Sequence, residues 1–229
     1  MTGEHLSKQY DADLEAIRAK VLGMGGIVER QFNDAISAFK LGTVSLAEQV
    51  IAEDMTVNHL EVDLDNDCSQ LIVRRQPTAN DLRTVMATIK IITDLERIGD
   101  EAVKIARHAL NMHIDGVVKL PHEDNLSLIA SAAKEMLRSA LDAFARLDEQ
   151  QATQLILQDV DLDESFRKVV RSLMAAMTED PRTIAHSLDA LWVAKAIERI
   201  GDHAKNIGEY VVFIVGGKDI RHSDFGLQY

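Results

Sequence analysis

The string Glu-Arg-Ile-Gly-Asp occurs twice in the chain, as Glu96-Arg97-Ile98-Gly99-Asp100 and as Glu198-Arg199-Ile200-Gly201-Asp202. The copies lie 102 positions apart, close to half of the 229 residues. Self-similarity over that distance predicts duplication of a whole structural unit rather than a local motif. Each copy spaces two carboxylates at i and i+4, which on a helix puts both on one face. A carboxylate pair kept in both halves suggests that the halves do the same chemical job.

The chain is predicted to be helical throughout. Aromatics make up 4% and prolines number 3, while Ala, Leu, Ile and Met are plentiful; few breakers and many helix formers favour helices. From Leu6 to Lys40, apolar residues at Leu14, Ile17, Val21, Met24, Val28, Phe32, Ile36 and Phe39 recur at spacings of three and four. Gly23, Gly25 and Gly26 interrupt this helix, but no Gly-Lys-Ser/Thr ending follows, so they read as close packing and not as a phosphate loop. A break near Leu41-Gly42-Thr43 precedes a second helix from Val44 to Arg75. Arg75-Gln76-Pro77-Thr78 turns the chain into a third, Ala79 to Met112, which carries the first string. Asp115-Gly116 and Pro121 mark the joint between repeats at 1–116 and 117–229. The pattern then recurs: Glu123 to Leu147, Glu149 to Met177, a turn at Glu179-Asp180-Pro181, and Arg182 to Val215 with the second string. Gly216-Gly217 ends the last helix before a polar tail. Short connections predict antiparallel neighbours.

Hairpin register then groups the acidic residues. Asp54 and Asp100 are both 23 positions from Pro77, and Asn58 and Glu96 are both 19. Asp159 with Asp202, and Asp163 with Glu198, mirror each other across Asp180-Pro181 in the same way. Carboxylates at one height repel unless a cation neutralises them. Oxygen donors without a patterned Cys or His favour Mg²⁺, Mn²⁺, Ca²⁺ or iron over zinc. Gly99 and Gly201 stand where the Glu-x-x-His of ferritin-like di-iron bundles would place histidine, which argues against oxygen activation. A single copy of the string reads better as a solvated face, with Glu96 and Asp100 paired to Arg97, Lys104 or Arg83. Duplication and mirrored partners favour metal. The expected ligands are Asp54, Asn58, Glu96 and Asp100 in the first half, and Asp159, Asp163, Glu198 and Asp202 in the second. Asn58 leaves the first set with three carboxylates, so the second is expected to bind more tightly. Arg97 and Arg199 read as ion-pair residues. His59, His108, His113, His122, His186 and His222 read as surface or capping residues, and His203 alone lies near a site.

The net charge of −12 makes duplex nucleic acid and anionic membrane poor partners. The single cysteine, Cys68, excludes an intrachain disulfide and reads as a small buried residue. Met1 to Leu14 contains no apolar signal segment, and no window approaches the roughly 20 apolar residues of a membrane span. A cytoplasmic protein is expected.

Arg75-Gln76-Pro77-Thr78-Ala79-Asn80-Asp81-Leu82-Arg83, followed by Asp94-Leu95-Glu96-Arg97-Ile98-Gly99-Asp100, resembles the PhoU family of phosphate-specific transport accessory proteins. Glu198 to Ile207 and Gly217-Lys218-Asp219-Ile220-Arg221-His222 are similar to that family's second half. The resemblance implies an all-α fold of two tandem three-helix bundles related by pseudo-twofold symmetry. It implies metal clusters, with iron or another oxygen-liganded cation, on the eight residues named above. It further implies a homodimeric negative regulator of the phosphate regulon with no chemistry of its own. Such a regulator would link the ATPase of a phosphate ABC transporter to a sensor histidine kinase and meet the membrane only through them. A metal-dependent phosphohydrolase is the alternative, although no independent general base or nucleophile accompanies the carboxylates.

Overall fold

The structure, a computed structural model, describes residues 8–114 and 123–220. Six long helices follow one another: α1 Lys8–Leu41, α2 Val44–Arg75, α3 Ala79–Ile114, α4 Glu123–Arg146, α5 Glu149–Glu179 and α6 Ile184–Gly216. The helix that carries the second string, expected from Arg182, begins two residues later, at Ile184. Pro181–Thr183 form a short 3-10 turn, opened by Asp180, whose side chain accepts from the Arg182 backbone N–H. Proline, with no N–H to donate, is tolerated at that first position. Asp115-Gly116 and Pro121, the expected joint, lie outside the described residues, as do His122 and the tail from Arg221.

The duplication is visible in the backbone. Gly42 ends α1 at φ 67°, and Leu147 ends α4 at φ 52°. Leucine in a left-handed conformation is strained. Here it occupies the place that glycine fills in the first half, 105 positions earlier. Thr43 and Asp148 then stand as equivalent extended N-caps of α2 and α5. Only Asp148 uses its side chain, accepting from Gln151 N–H at 2.9 Å. The same shift pairs the buried Phe39 with Phe144 and Val57 with Leu162.

Helices α1, α2 and α3 pack into one bundle, α4, α5 and α6 into a second, and α3 lies against α6 in the most extensive contact of all. Asp94 meets His203, Glu101 meets Arg199, and His108 meets Asp189. Residue numbers rise on one helix as they fall on the other, so the pair is antiparallel. Equivalent helices packed on each other are what a twofold relation between repeats produces. One hydrophobic core runs through both halves and includes Ile91, Ile98 and Ile105 of α3 with Val193, Ile200 and Ile207 of α6. At the end of this seam, Arg83 donates to the Ile214 carbonyl at 3.1 Å and lies over the Phe213 ring. It thereby caps carbonyls at the negative end of α6. Gly217 turns the chain there at φ 71°, and a side chain in its place would also collide with Arg83. Among the described residues, no helix is long and apolar enough to cross a membrane.

Candidate metal centres

The two repeated strings lie with their glycines facing their own bundles. A Cβ on Gly201 would run into the Leu162 side chain of α5, with the Met136 sulfur of α4 at 3.7 Å. A Cβ on Gly99 would meet Gln31 Oε1 at 3.2 Å, Val57 at 3.4 Å and Asp54 Oδ1 at 3.6 Å. The glycines therefore let each third helix approach its neighbours closely, and the carboxylates on either side are carried inward with it.

In the first half, Asp54, Glu96 and Asp100 lie close enough for their charges to act on one another. Burial pushes Asp54 above the usual carboxylate range, and the Asp100 charge adds to it. Glu96 is raised by burial, then by Asp100, Glu61 and Asp54. The side-chain amide of Asn58 donates to Asp54 Oδ2 at 3.4 Å. Two further residues join that the sequence pattern did not reveal. Glu61 sits at i+7 from Asp54 and i+3 from Asn58, on the same helical face. It is raised by burial and by Asp65 and Asp100. Gln31 of α1 is fully buried, donates to the Val50 carbonyl at 3.2 Å and to Asp54 Oδ1 at 3.5 Å, and leaves its own Oε1 without a partner. The i, i+4, i+7 spacing could have found Glu61. Gln31 had no signal, because α1 carries no acidic motif.

In the second half, Asp159 is buried, and Asp163, Glu198 and Asp202 are half-buried around it. Burial pushes Asp202 up to about 6, helped by Glu198, Asp159 and Asp163 and opposed by Lys195. Lysines stand among these carboxylates. Lys205 Nζ donates to Asp159 Oδ2 at 2.6 Å, and Lys195 Nζ donates to both Glu198 oxygens at 2.6 and 2.7 Å. Burial works against the Lys205 ammonium, but Asp159 more than offsets it and holds its pKa above the ordinary lysine value. Asp159 Oδ1 remains buried without a partner.

Arg97 pairs with Glu96 at 3.7 Å, and Arg199 pairs with Glu101 across the seam at 3.3 Å. His203 joins neither cluster. Its Nδ1 pairs with Asp94 Oδ1 at 2.7 Å, beside Asn206, which donates to the same oxygen at 3.1 Å. Cys68 is fully buried, and burial drives its thiol up to about 12, which excludes a thiolate nucleophile near neutrality. A cavity of about 330 Å³ lined by Ser139, Asp148, Gln151 and Gln154 contains none of the eight expected ligands.

The donor chemistry of the clusters suits a hard cation: crowded carboxylates, amide oxygens, and buried oxygen atoms without partners. As the side chains stand, no three His, Cys, Asp or Glu residues converge closely enough to hold a metal ion among the described residues. Ligation would require rotation of these carboxylates toward one another. Among the described residues of the first half, no lysine or arginine hydrogen-bonds Asp54, Glu61 or Asp100 to resist that rotation.

A tandem pair of three-helix repeats, each with a carboxylate cluster between its second and third helices, defines the class. The sequence profile of the PhoU domain matches residues 21–109 and again 126–211, so each half carries one copy, and the chain belongs to the PhoU family. It is 44% identical over 222 residues to the phosphate-specific transport system accessory protein PhoU of Escherichia coli K12, covering 96% of this chain and 90% of that one. It is 42% identical over 223 residues to the PhoU homolog of Pseudomonas putida, covering 95% and 85%. The crystal structure of PhoU from Pseudomonas aeruginosa matches with a TM-score of 0.88 at 40% identity, over 91% of this chain and all of that one.

Proposed function

We propose that the chain is a phosphate-transport accessory protein acting as a metal-binding adaptor. In this reading it works as a homodimer at the cytoplasmic face of a phosphate ABC transporter. It binds the transporter's ATPase and a sensor histidine kinase, and it represses phosphate-starvation genes when phosphate is plentiful. The observation that carries the reading is full-length similarity, through both repeats, to proteins named as phosphate-specific transport accessory proteins. The buried Cys68 and the commitment of His203 to Asp94 support an adaptor over an enzyme, since neither is free to serve as nucleophile or base.

Asp54, Asn58, Glu96 and Asp100, with Asp159, Asp163, Glu198 and Asp202, are the residues proposed to hold metal. A bound divalent or trivalent cation, such as iron, manganese, magnesium or zinc, would supply charge neutralisation between helices that otherwise repel. Gly99 and Gly201 set the helix spacing, and Gln31 and Asn58 orient Asp54.

The test is genetic and biochemical. Deleting the gene is expected to leave phosphate-starvation genes active in high phosphate. Tagged protein is expected to retain the transporter ATPase and the kinase. Normal repression in the deletion strain, together with capture of neither protein, would overturn the adaptor reading. Metal-dependent release of phosphate from a model phosphoester by purified protein would favour the phosphohydrolase instead.

A further inference from the structure

The two clusters are built from equivalent positions, yet their surroundings have diverged. Gln31 in the first half corresponds to Met136 in the second. Both lie within 4 Å of where a Cβ on the glycine of their string would stand, Gln31 through Oε1 at 3.2 Å and Met136 through sulfur at 3.7 Å. Glu61 corresponds to Phe166, over whose ring Lys195 Nζ lies at 5.5 Å. Lys195 and Lys205 correspond to Thr93 and Val103, neither of which carries charge. Among the described residues, the first half therefore combines Asp54, Glu61, Glu96 and Asp100 with a buried, unpartnered amide oxygen and no lysine hydrogen-bonded to them. The second combines Asp159, Asp163, Glu198 and Asp202 with two ammonium groups already hydrogen-bonded to Asp159 and Glu198. Each set has four carboxylates; in the second, two of them hold ammonium groups at 2.6 Å, whereas in the first Arg97 reaches Glu96 at the longer distance of 3.7 Å.

We infer that the halves are unequal: the first cluster, through Gln31 and Glu61, is the divalent-cation site, and the second is closed by Lys195 and Lys205. This inference rests on the metal-binding reading above and reverses the order of affinity expected from the sequence. A cation entering the second cluster must displace ammonium groups at 2.6 Å, whereas one entering the first meets the looser Arg97–Glu96 pair at 3.7 Å. Cation affinity follows ligand charge and the number of oxygen donors. Glu61 restores the charge that Asn58 lacks, and Gln31, whose amide nitrogen donates to Asp54, adds an unpartnered carbonyl oxygen beside Gly99 from a helix without any acidic motif. The lysines play the cation's part in the second half: Lys205 ties α6 to Asp159 of α5, and Lys195 neutralises Glu198 on its own helix.

Mn²⁺ titration of the full-length protein, followed by the loss of the free-ion electron paramagnetic resonance signal, tests this. Wild type is expected to bind with one tight stoichiometric component. Glu61→Gln and Gln31→Met are expected to weaken that component about tenfold or more, with Glu61→Asp retaining part of it. The double substitution Lys195→Met and Lys205→Met is expected to add a second component, which a purely structural role for the lysines would not produce. Far-UV circular dichroism confirms that each variant is folded, and Glu61, being partly exposed, keeps the test valid if Gln31→Met does not fold. Two components of equal strength in wild type, or a tight component lost in Asp202→Asn and kept in Glu61→Gln, would overturn the asymmetry while leaving metal binding intact. No Mn²⁺ binding above background in either wild type or the double lysine variant would overturn both.

Discussion

Asp202 shows what crowding costs at the level of one side chain. Its carboxyl is pushed up to about 6 by burial and by Glu198, Asp159 and Asp163. A carboxyl with a raised folded pKa binds its proton more tightly folded than unfolded. Its contribution to stability is thus fully present below about pH 4 and is lost as pH rises through about 6. Asp202→Asn is expected to raise the melting temperature at pH 7.5 by about 2–4 °C and to leave it unchanged at pH 4. Exposure of part of the carboxyl keeps the gain small. A scan by circular dichroism at both pH values checks it, and a larger effect at pH 4 would contradict the assignment. The string glycines differ in a comparable way. Gly→Ala in a helix gains about 1 kcal/mol of propensity, and overpacking a core costs about 1–3 kcal/mol. Gly201→Ala drives into the buried Leu162 and is expected to destabilise in urea, whereas Gly99→Ala meets the end of Gln31 at 3.2 Å, with Val57 and Asp54 at ordinary contact distance, and is expected to be nearly neutral.

At the level of elements, the α3–α6 seam carries the polar chemistry that the repeat pattern could not reveal. Asp94 is buried, and it accepts from Asn206 and pairs with His203 on the other half. Removing a hydrogen-bonded carboxylate there forfeits charge-assisted bonds worth about 1–3 kcal/mol. Asp94→Ala is expected to lose that amount in urea unfolding. Glu53→Ala, whose ion pair with Arg30 is partly exposed and long at 3.8 Å, is expected to change stability by less than about 0.5 kcal/mol. Similar costs for both would mean that the seam contributes no more than the surface.

For the whole molecule, the seam also decides which halves can pair. Asp94 faces His203, and the residue equivalent to His203 in the first half is Glu101. Two copies of the first half joined through α3 would set Asp94 against Glu101 twice, and like charges so placed repel. Separately produced fragments 1–116 and 117–229 are therefore expected to copurify with each other and not to self-pair through this surface. Size-exclusion chromatography with light scattering of each fragment, alone and mixed, checks this. Stable homodimers of 1–116, unaffected by Glu101→His, would contradict it.

What the sequence determined by itself was local and periodic. Apolar spacing set six helices, Pro77 and Pro181 set two hairpins, and residues equidistant from each turn came to one level, which brought Asp54 to Asp100 and Asp159 to Asp202. These follow from the rise and pitch of a helix, which depend on residue number alone. Tertiary structure decided the rest, because helix rotation and packing join residues of no fixed separation. It brought Gln31 from α1 to Asp54, placed Lys205 on Asp159, and drew His203 away from the cluster beside it to Asp94 on another helix. Glu61 lay between: its helical phase was readable, but its weight among the carboxylates depended on how closely Gly99 let α3 approach. The repeated string was legible because duplication preserved it. The difference between the halves was not, because it lies in the neighbours that packing selected for each copy.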